Sequence, residues 1–359
     1  MPSSTAERSP LLKLSAIAFS SSVGVTSPTA SGMALPLAPT DEEKAIAESL
    51  SSGERSAVLL GNYAIQHADA AQLHALAQML ADATGATLGF LTEAANTVGA
   101  HLAGALPQSG GKNAQAMLSD PCRAYLLLHA EPEFDFANSH GARAALEQAD
   151  LVVVMSPYDH GRSYADVLLP ISPFSETAGS FVNCEGRLQE FHGVVKPLGE
   201  SRPGWKVLRV LGTMLKLSGF DANTAVEVRA SVVANAGAVA GKLGNATRVN
   251  ATRPAPASSG VERVADVPIY FADPLVRRSP PLQLTADARP PKARMHRSLF
   301  DTLGLRDGAQ VKVRQGQGEA VLSAIVDATV PPGVVRIAAA HASTCGLEGM
   351  SGPISVERA

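Results

Sequence analysis

Cysteine is scarce in this chain of 359 residues: Cys122, Cys184 and Cys345 stand far apart. No two form a C-x-x-C pair, and no histidine lies at metal-ligand spacing from any of them. An odd, sparse count argues against a disulfide framework and suits a reducing compartment. It also argues against an iron–sulfur cluster bound by this chain, since such clusters normally take four thiolates. Aromatic residues make up only 4%, so the core rests on Ala, Val and Leu. A basic excess is missing as well: the net charge is -3, which argues against a broad nucleic-acid surface. No run reaches the roughly 20 apolar residues needed to span a bilayer.

Several catalytic signatures are absent. Gly110-Gly-Lys112 suggests a phosphate loop, but Leu106 and Asn113 occupy positions that need Gly and Ser or Thr. Leu60-Gly61-Asn62 offers one glycine where a dinucleotide fingerprint needs three. Nucleophile-elbow and zincin patterns do not occur. His129, after an apolar run, and His160, after Pro157-Tyr-Asp, read as structural or surface residues; Asp159-His160 lacks a third partner for proton transfer. The sequons at Asn245 and Asn250 read as chance.

What is present is an alternation of strands and helices. Ala57–Leu60, Ala86–Leu91, Ala124–Leu128, Leu151–Met155 and Asp166–Leu169 are short apolar runs, as expected of buried strands. Between them, Ala68–Ala83 and Ala142–Gln148 carry apolar residues at helical spacing. This order predicts a mainly parallel α/β sheet, whose ligand sites gather at the carboxyl ends of its strands. Glu176–Phe191 reads as loop and hairpin. Gly204–Leu217 reads as an amphipathic helix with Val207, Leu208, Val210, Leu211 and Leu215 on its apolar face, and residues 222–241 as one more helix. Short strands near Val311–Arg314, Ala320–Val326 and Val334–Ile337, with glycine and proline between, predict a small C-terminal β-barrel. The domain reading is a disordered leader over 1–44, with a weak likeness to a secretory signal at Lys13–Phe19. An α/β domain over 45–241, a linker over 242–262 and a β-rich domain over 263–359 follow.

One segment concentrates polar groups just past a buried strand. It runs from Pro170 to Gln189 and holds Glu176, Asn183, Glu185 and Arg187 among turn residues. Its position suits a ligand pocket; a hairpin stapled by Glu–Arg pairing explains it equally well.

Ala165-Asp-Val-Leu-Leu-Pro170 and Glu176-Thr-Ala-Gly-Ser-Phe-Val-Asn-Cys-Glu-Gly-Arg187 resemble consecutive blocks of the molybdopterin oxidoreductase superfamily. Within it, Ser172-Pro-Phe174, Arg202-Pro-Gly-Trp-Lys-Val-Leu-Arg209, Leu211-Gly212, Ala94–Ala100, Pro268-Ile-Tyr270 and Leu275-Val-Arg-Arg278 are similar to the C-terminal part of the large iron–sulfur subunit of bacterial NADH–quinone oxidoreductase, complex I. The resemblance covers roughly residues 55–359. It implies an α/β domain of the molybdopterin oxidoreductase type with a double-psi-like C-terminal barrel. It further implies a structural part of a respiratory complex that supports electron transfer from NADH to quinone. Partners would be the other peripheral-arm subunits, at the cytoplasmic face of the inner membrane. Iron–sulfur clusters would be held by the family's N-terminal half, and this chain would carry no cofactor, no metal and no catalytic residue of its own. Cys184 reads as a packing residue. Two alternatives remain: a molybdopterin-binding module of an oxidoreductase, with Glu176, Asn183, Glu185 and Arg187 lining its pterin pocket, or a truncated gene product without function.

Overall fold

A computed structural model describes residues 41–67, 69–244, 246 and 260–359. The leader reading over 1–40, the two sequons and most of the linker reading fall outside the described residues. Among the described residues no helix is long and apolar enough to cross a membrane. The chain forms two compact units. One holds the described residues within Met1–Gly104, Phe181–Gln189 and Asn235–Pro256; the other holds those within Ala105–Ser180, Glu190–Ala234 and Ala257–Ala359.

The first unit opens with α1 (Asp41–Ser52), which takes in residues 41–44 of the stretch read as a leader. Strand β1 (Ala57–Leu60) pairs in parallel with β2 (Thr87–Phe90), and α2 (Ala70–Thr84) connects them. Gly85 ends α2 in the left-handed conformation, at φ +72°, which a residue with a Cβ adopts only at a cost. Leu60, Ala77, Ala81 and Leu88 form the core between helix and strands.

In the second unit, β3 (Ala124–Leu128), β4 (Leu151–Ser156) and β5 (Val167–Pro170) form a parallel sheet in that order. Helix α3 (Ser139–Glu147) crosses from β3 to β4. Val152, Val154 and Met155 are almost fully buried, and each such side chain contributes ~1.5–3 kcal/mol of apolar burial. Asp166 fixes the start of β5. Its carboxylate accepts the Val152 N–H at 2.7 Å, and its own N–H donates to the Val152 carbonyl at 2.9 Å. The polar residue in this family-like block therefore aligns two strands.

A hairpin of β6 (Gly179–Val182) and β7 (Leu188–Phe191) follows, then α4 (Gly204–Met214) and α5 (Ala225–Val232). Two expectations are corrected here. The helix expected over 222–241 is split, because Asn235 accepts the Ala238 N–H and caps a new helical turn, Ala236–Ala240. The apolar stripe expected on α4 is only partly buried: Val210 and Leu215 are exposed, while Gly212 packs against Phe220.

The C-terminal region closes into a six-stranded barrel in the order β10-β11-β9-β12-β8-β13. Its strands are β8 (Val261–Val264), β9 (Ala293–Met295), β10 (Gln310–Gln315), β11 (Gly318–Val326), β12 (Val334–Arg336) and β13 (Ser351–Arg358). Strand β8 begins with the last two residues of the stretch read as linker. The pairs β9–β11 and β8–β12 are parallel and the other four antiparallel, and closure leaves no free edge. Alternate residues, among them Val311, Val313, Leu322 and Ala324, fill the interior.

The barrel also buries a charge. Arg263 is 2% exposed. Its guanidinium donates to the carbonyls of Ile337 and Gly349 and to Gln315 Oε1, with no carboxylate among these acceptors. Burial lowers its pKa to about 10. Replacing Arg263 with Met would leave these acceptors without a donor, at a cost of about 3 kcal/mol. Urea denaturation of Arg263→Met should show a lower midpoint with an unchanged slope; an unaltered midpoint would contradict this role.

Candidate active site

The carboxyl ends of β3, β4 and β5 point to one side of their sheet, where three loops leave it. The loop after β3 begins with His129, held at φ +53° with its N–H donating to the Met155 carbonyl at 2.9 Å. The surrounding chain desolvates the imidazole and lowers its pKa, although the side chain stays partly open to solvent. The loop after β4 is Pro157-Tyr-Asp-His160. Ser156 Oγ accepts the Tyr158 N–H at 3.0 Å and turns the chain. Asp159 pairs with Arg162 at the surface, which holds its carboxyl below the ordinary range. Both ring nitrogens of His160 are buried without a hydrogen-bond partner.

After β5, Ser172 is 1% exposed and its hydroxyl too has no partner. Its N–H donates to the Arg202 carbonyl at 2.9 Å, and Ile171 bridges Arg202 in parallel fashion. This brings the start of α4 onto the sheet end. A Cβ at Gly204 would lie 3.4 Å from both Leu128 and Ile171. Buried polar groups are normally satisfied, so three unpartnered atoms on the loops after adjacent strands mark a place prepared for a polar ligand.

Arginines support the same crevice. The Arg278 guanidinium lies 4.4 Å from the Tyr158 ring centroid. It also pairs with Glu131 at 2.5 Å, and Arg277 reaches the other Glu131 oxygen at 3.1 Å. Desolvation raises the Tyr158 pKa, and Arg278 offsets part of that rise. Beyond β5 a cleft of about 830 Å³ opens, lined by Glu176, Lys196, Arg202, Trp205 and Lys206 among others.

The four residues singled out in the sequence fall in two places. Glu176 lies in a short 3-10 turn of the second unit, where its carboxylate accepts the Leu198 N–H at 3.0 Å and lines the cleft. Asn183, Glu185 and Arg187 lie in the first unit, at the tip of the hairpin. Asn183 Oδ1 accepts the N–H groups of Glu185 and Arg187, and Gly186 completes the turn at φ +79°. Glu185 and Arg187 are largely exposed, 3.9 Å apart. Cys184 is exposed rather than packed, because the same turn carries it outward. The sequence reads His160 as a structural or surface residue and Ser172 only as part of a family-like block, since single polar residues after strands carry no spacing signal. Their position at strand ends was the available clue. Among the described residues no group of three or more His, Cys, Asp or Glu side chains is arranged to bind a metal directly.

Comparison with known proteins finds two family matches along the chain. The family model of molybdopterin oxidoreductase matches residues 39–214, and that of the molydopterin dinucleotide binding domain matches residues 276–352. The chain carries a molybdopterin oxidoreductase domain and a molydopterin dinucleotide binding domain. Curated relatives include two proteins described as "Putative formate dehydrogenase" from Staphylococcus aureus. That of strain bovine RF122 is 40% identical and that of strain USA300 39% identical, each over 88 residues. These 88 residues are 24% of this chain and 9% of each relative. Acetylene hydratase from Pelobacter acetylenicus aligns with a TM-score of 0.48 and 16% identity, over 68% of this chain and 46% of that one.

The two family matches correct the expectation of a chain without a cofactor: they imply a molybdenum cofactor held here as a pterin dinucleotide. The unpartnered groups fit such a ligand. A pterin is edged with N–H donors, carbonyls and ring nitrogens, and a dinucleotide adds hydroxyls and phosphates. His160 donates or accepts according to tautomer, and the Ser172 hydroxyl does both. Cys122 stands before β3, at the opposite end of the sheet.

Ser172→Ala and His160→Leu remove buried polar atoms that lack partners. In cofactor-free protein each should therefore leave the thermal midpoint unchanged or raise it, by the equivalent of about 1 kcal/mol. Both should reduce the pterin retained through purification. A clear loss of stability in cofactor-free protein would show that these groups serve the fold instead.

Proposed function

We propose that this chain is the part of a molybdopterin oxidoreductase that binds and orients the molybdenum–pterin dinucleotide. The observation that carries the reading is the set of unpartnered His160 and Ser172 atoms at the carboxyl ends of β4 and β5. Two family matches on the same chain support it. When bound, the cofactor supplies the redox-active metal that amino-acid side chains lack. The chain's own residues bind, orient and exclude water. His160 and Ser172 would hydrogen-bond the pterin dinucleotide. Tyr158, braced by Arg278, would wall the crevice, and His129 would stay neutral near pH 7, able to accept a proton. Glu176, in the same unit as His160 and Ser172, is proposed as a further pterin contact, while Asn183, Glu185 and Arg187 build the hairpin turn of the first unit. The relatives' description makes a formate-dehydrogenase-type oxidoreductase the leading substrate class.

A second reading rests on the blocks Arg202–Arg209 and Leu275–Arg278, which resemble the large iron–sulfur subunit of complex I. In that reading the same domain is a structural part of NADH–quinone oxidoreductase. It would support electron transfer to quinone and pack against other peripheral-arm subunits, at the cytoplasmic face of the inner membrane.

Elemental and pterin analysis of protein purified from its native host tests the leading reading. Molybdenum or tungsten with pterin, near one equivalent per chain, is the expected result. Neither metal nor pterin, together with co-purification of complex I subunits from membranes, would reverse the order of the two readings.

A further inference from the structure

A ribbon of chain over residues 193–198 holds aliphatic side chains out in water. Val194 is 82% exposed, Val195 58% and Leu198 81%, and Phe174, 61% exposed, stands on the neighbouring segment. Single exposed aliphatics are ordinary, but a group of them in one place marks an interaction surface. The ribbon is not slack. The N–H groups of Val194 and Val195 donate to the Ser175 carbonyl, and the Leu198 N–H donates to Glu176 Oε2. Pro197 stiffens the backbone, and Gly199 turns it at φ +55°. The side chains are therefore held outward rather than folded back onto the chain.

Positive charge surrounds them. From 192 to 209 four cations, Lys196, Arg202, Lys206 and Arg209, stand against one carboxylate, Glu200, which lies 3.6 Å from Arg202. Lys196 and Lys206 are exposed, and the half-buried indole of Trp205 lies 5.4 Å from Lys206 Nζ. Aliphatic side chains that project this far need no shaped partner to be buried, only a fluid apolar phase. Cations set among them match a phase whose surface is negative.

We propose that the ribbon docks the chain on an anionic lipid surface. Val194, Leu198 and Phe174 enter the acyl boundary, and Lys196 and Lys206 reach the headgroups. The contact uses no membrane-spanning helix, and it stands apart from pterin binding at His160 and Ser172.

Cosedimentation of the full chain with vesicles tests this, comparing an equal mixture of phosphatidylcholine and phosphatidylglycerol with phosphatidylcholine alone. The chain should bind the mixed vesicles at millimolar lipid or below. Trp205, the single tryptophan, should shift its emission to the blue as it does so. The Val194→Asp/Leu198→Asp variant, with an unchanged circular dichroism spectrum, should bind at least about tenfold more weakly. Lys196→Glu/Lys206→Glu should abolish the preference for the anionic mixture. No binding to the mixed vesicles, equal binding to both kinds by the parent, or an aspartate variant that binds like the parent would overturn the proposal. Sedimentation velocity without lipid covers the other occupant: a parent that self-associates where the aspartate variant does not would assign the ribbon to a second copy and overturn the lipid assignment.

Discussion

A buried carboxylate organises the second unit. Glu131 is 1% exposed and sits just after β3, where the chain leaves the sheet. Its two oxygens take Arg277 and Arg278, both from the segment that connects barrel strands β8 and β9. Arg277 also pairs with Asp135, whose other oxygen accepts the Glu131 N–H at 2.7 Å. Burying such charges is costly, and losing one partner from a buried pair costs about 3–5 kcal/mol. The network is therefore stable only when complete, and its completion locks sheet and barrel in one arrangement. Phe271, Ala288 and Ala340, with Phe134 and Tyr270 against them, form an apolar cluster beside it.

That lock reaches the crevice through one side chain. Arg278 is held by Glu131 on one side and stacks on Tyr158 on the other, two residues before His160. The loop after β4 is thus braced from the barrel side, while the Ile171–Arg202 bridge braces the loop after β5. A site supported in this way is ordered before its ligand arrives, which lowers the entropy lost on binding. It also explains how buried polar atoms without partners persist: the surrounding structure over-determines their positions, and their desolvation cost is returned when a ligand supplies the missing bonds.

The parts of this fold legible in the sequence are those where local pattern and burial coincide. Leu151–Met155 is a continuous apolar run because a parallel strand is covered on both faces, and it reads as a strand without ambiguity. The barrel was half legible. Strand β10 alternates, β11 does so in part and β12 falls in a short apolar run, whereas Val-Glu-Arg-Val in β8 carries a buried arginine, β9 has three residues, and β13 contains Gly352 and Pro353. Barrel closure depends on pairings between residues far apart in the chain, such as Val335 with Met295, and no local pattern encodes these. The family-like block Ala165–Arg187 was visible, but its roles were not. Asp166 aligns strands and Asn183 builds a turn, while of the groups left without partners His160 lies outside the block and Ser172 lies between its two recognisable runs.

If the carboxyl ends of β4 and β5 hold the pterin dinucleotide, its binding must shield the two loops that leave them. Hydrogen–deuterium exchange, comparing cofactor-loaded with cofactor-free protein, tests this most directly. Loading should slow exchange of the backbone amides within 156–162 and 171–176, with little change in the barrel strands β10 and β11. Unchanged exchange in both loops of fully loaded protein, or protection confined to another part of the chain, would contradict it.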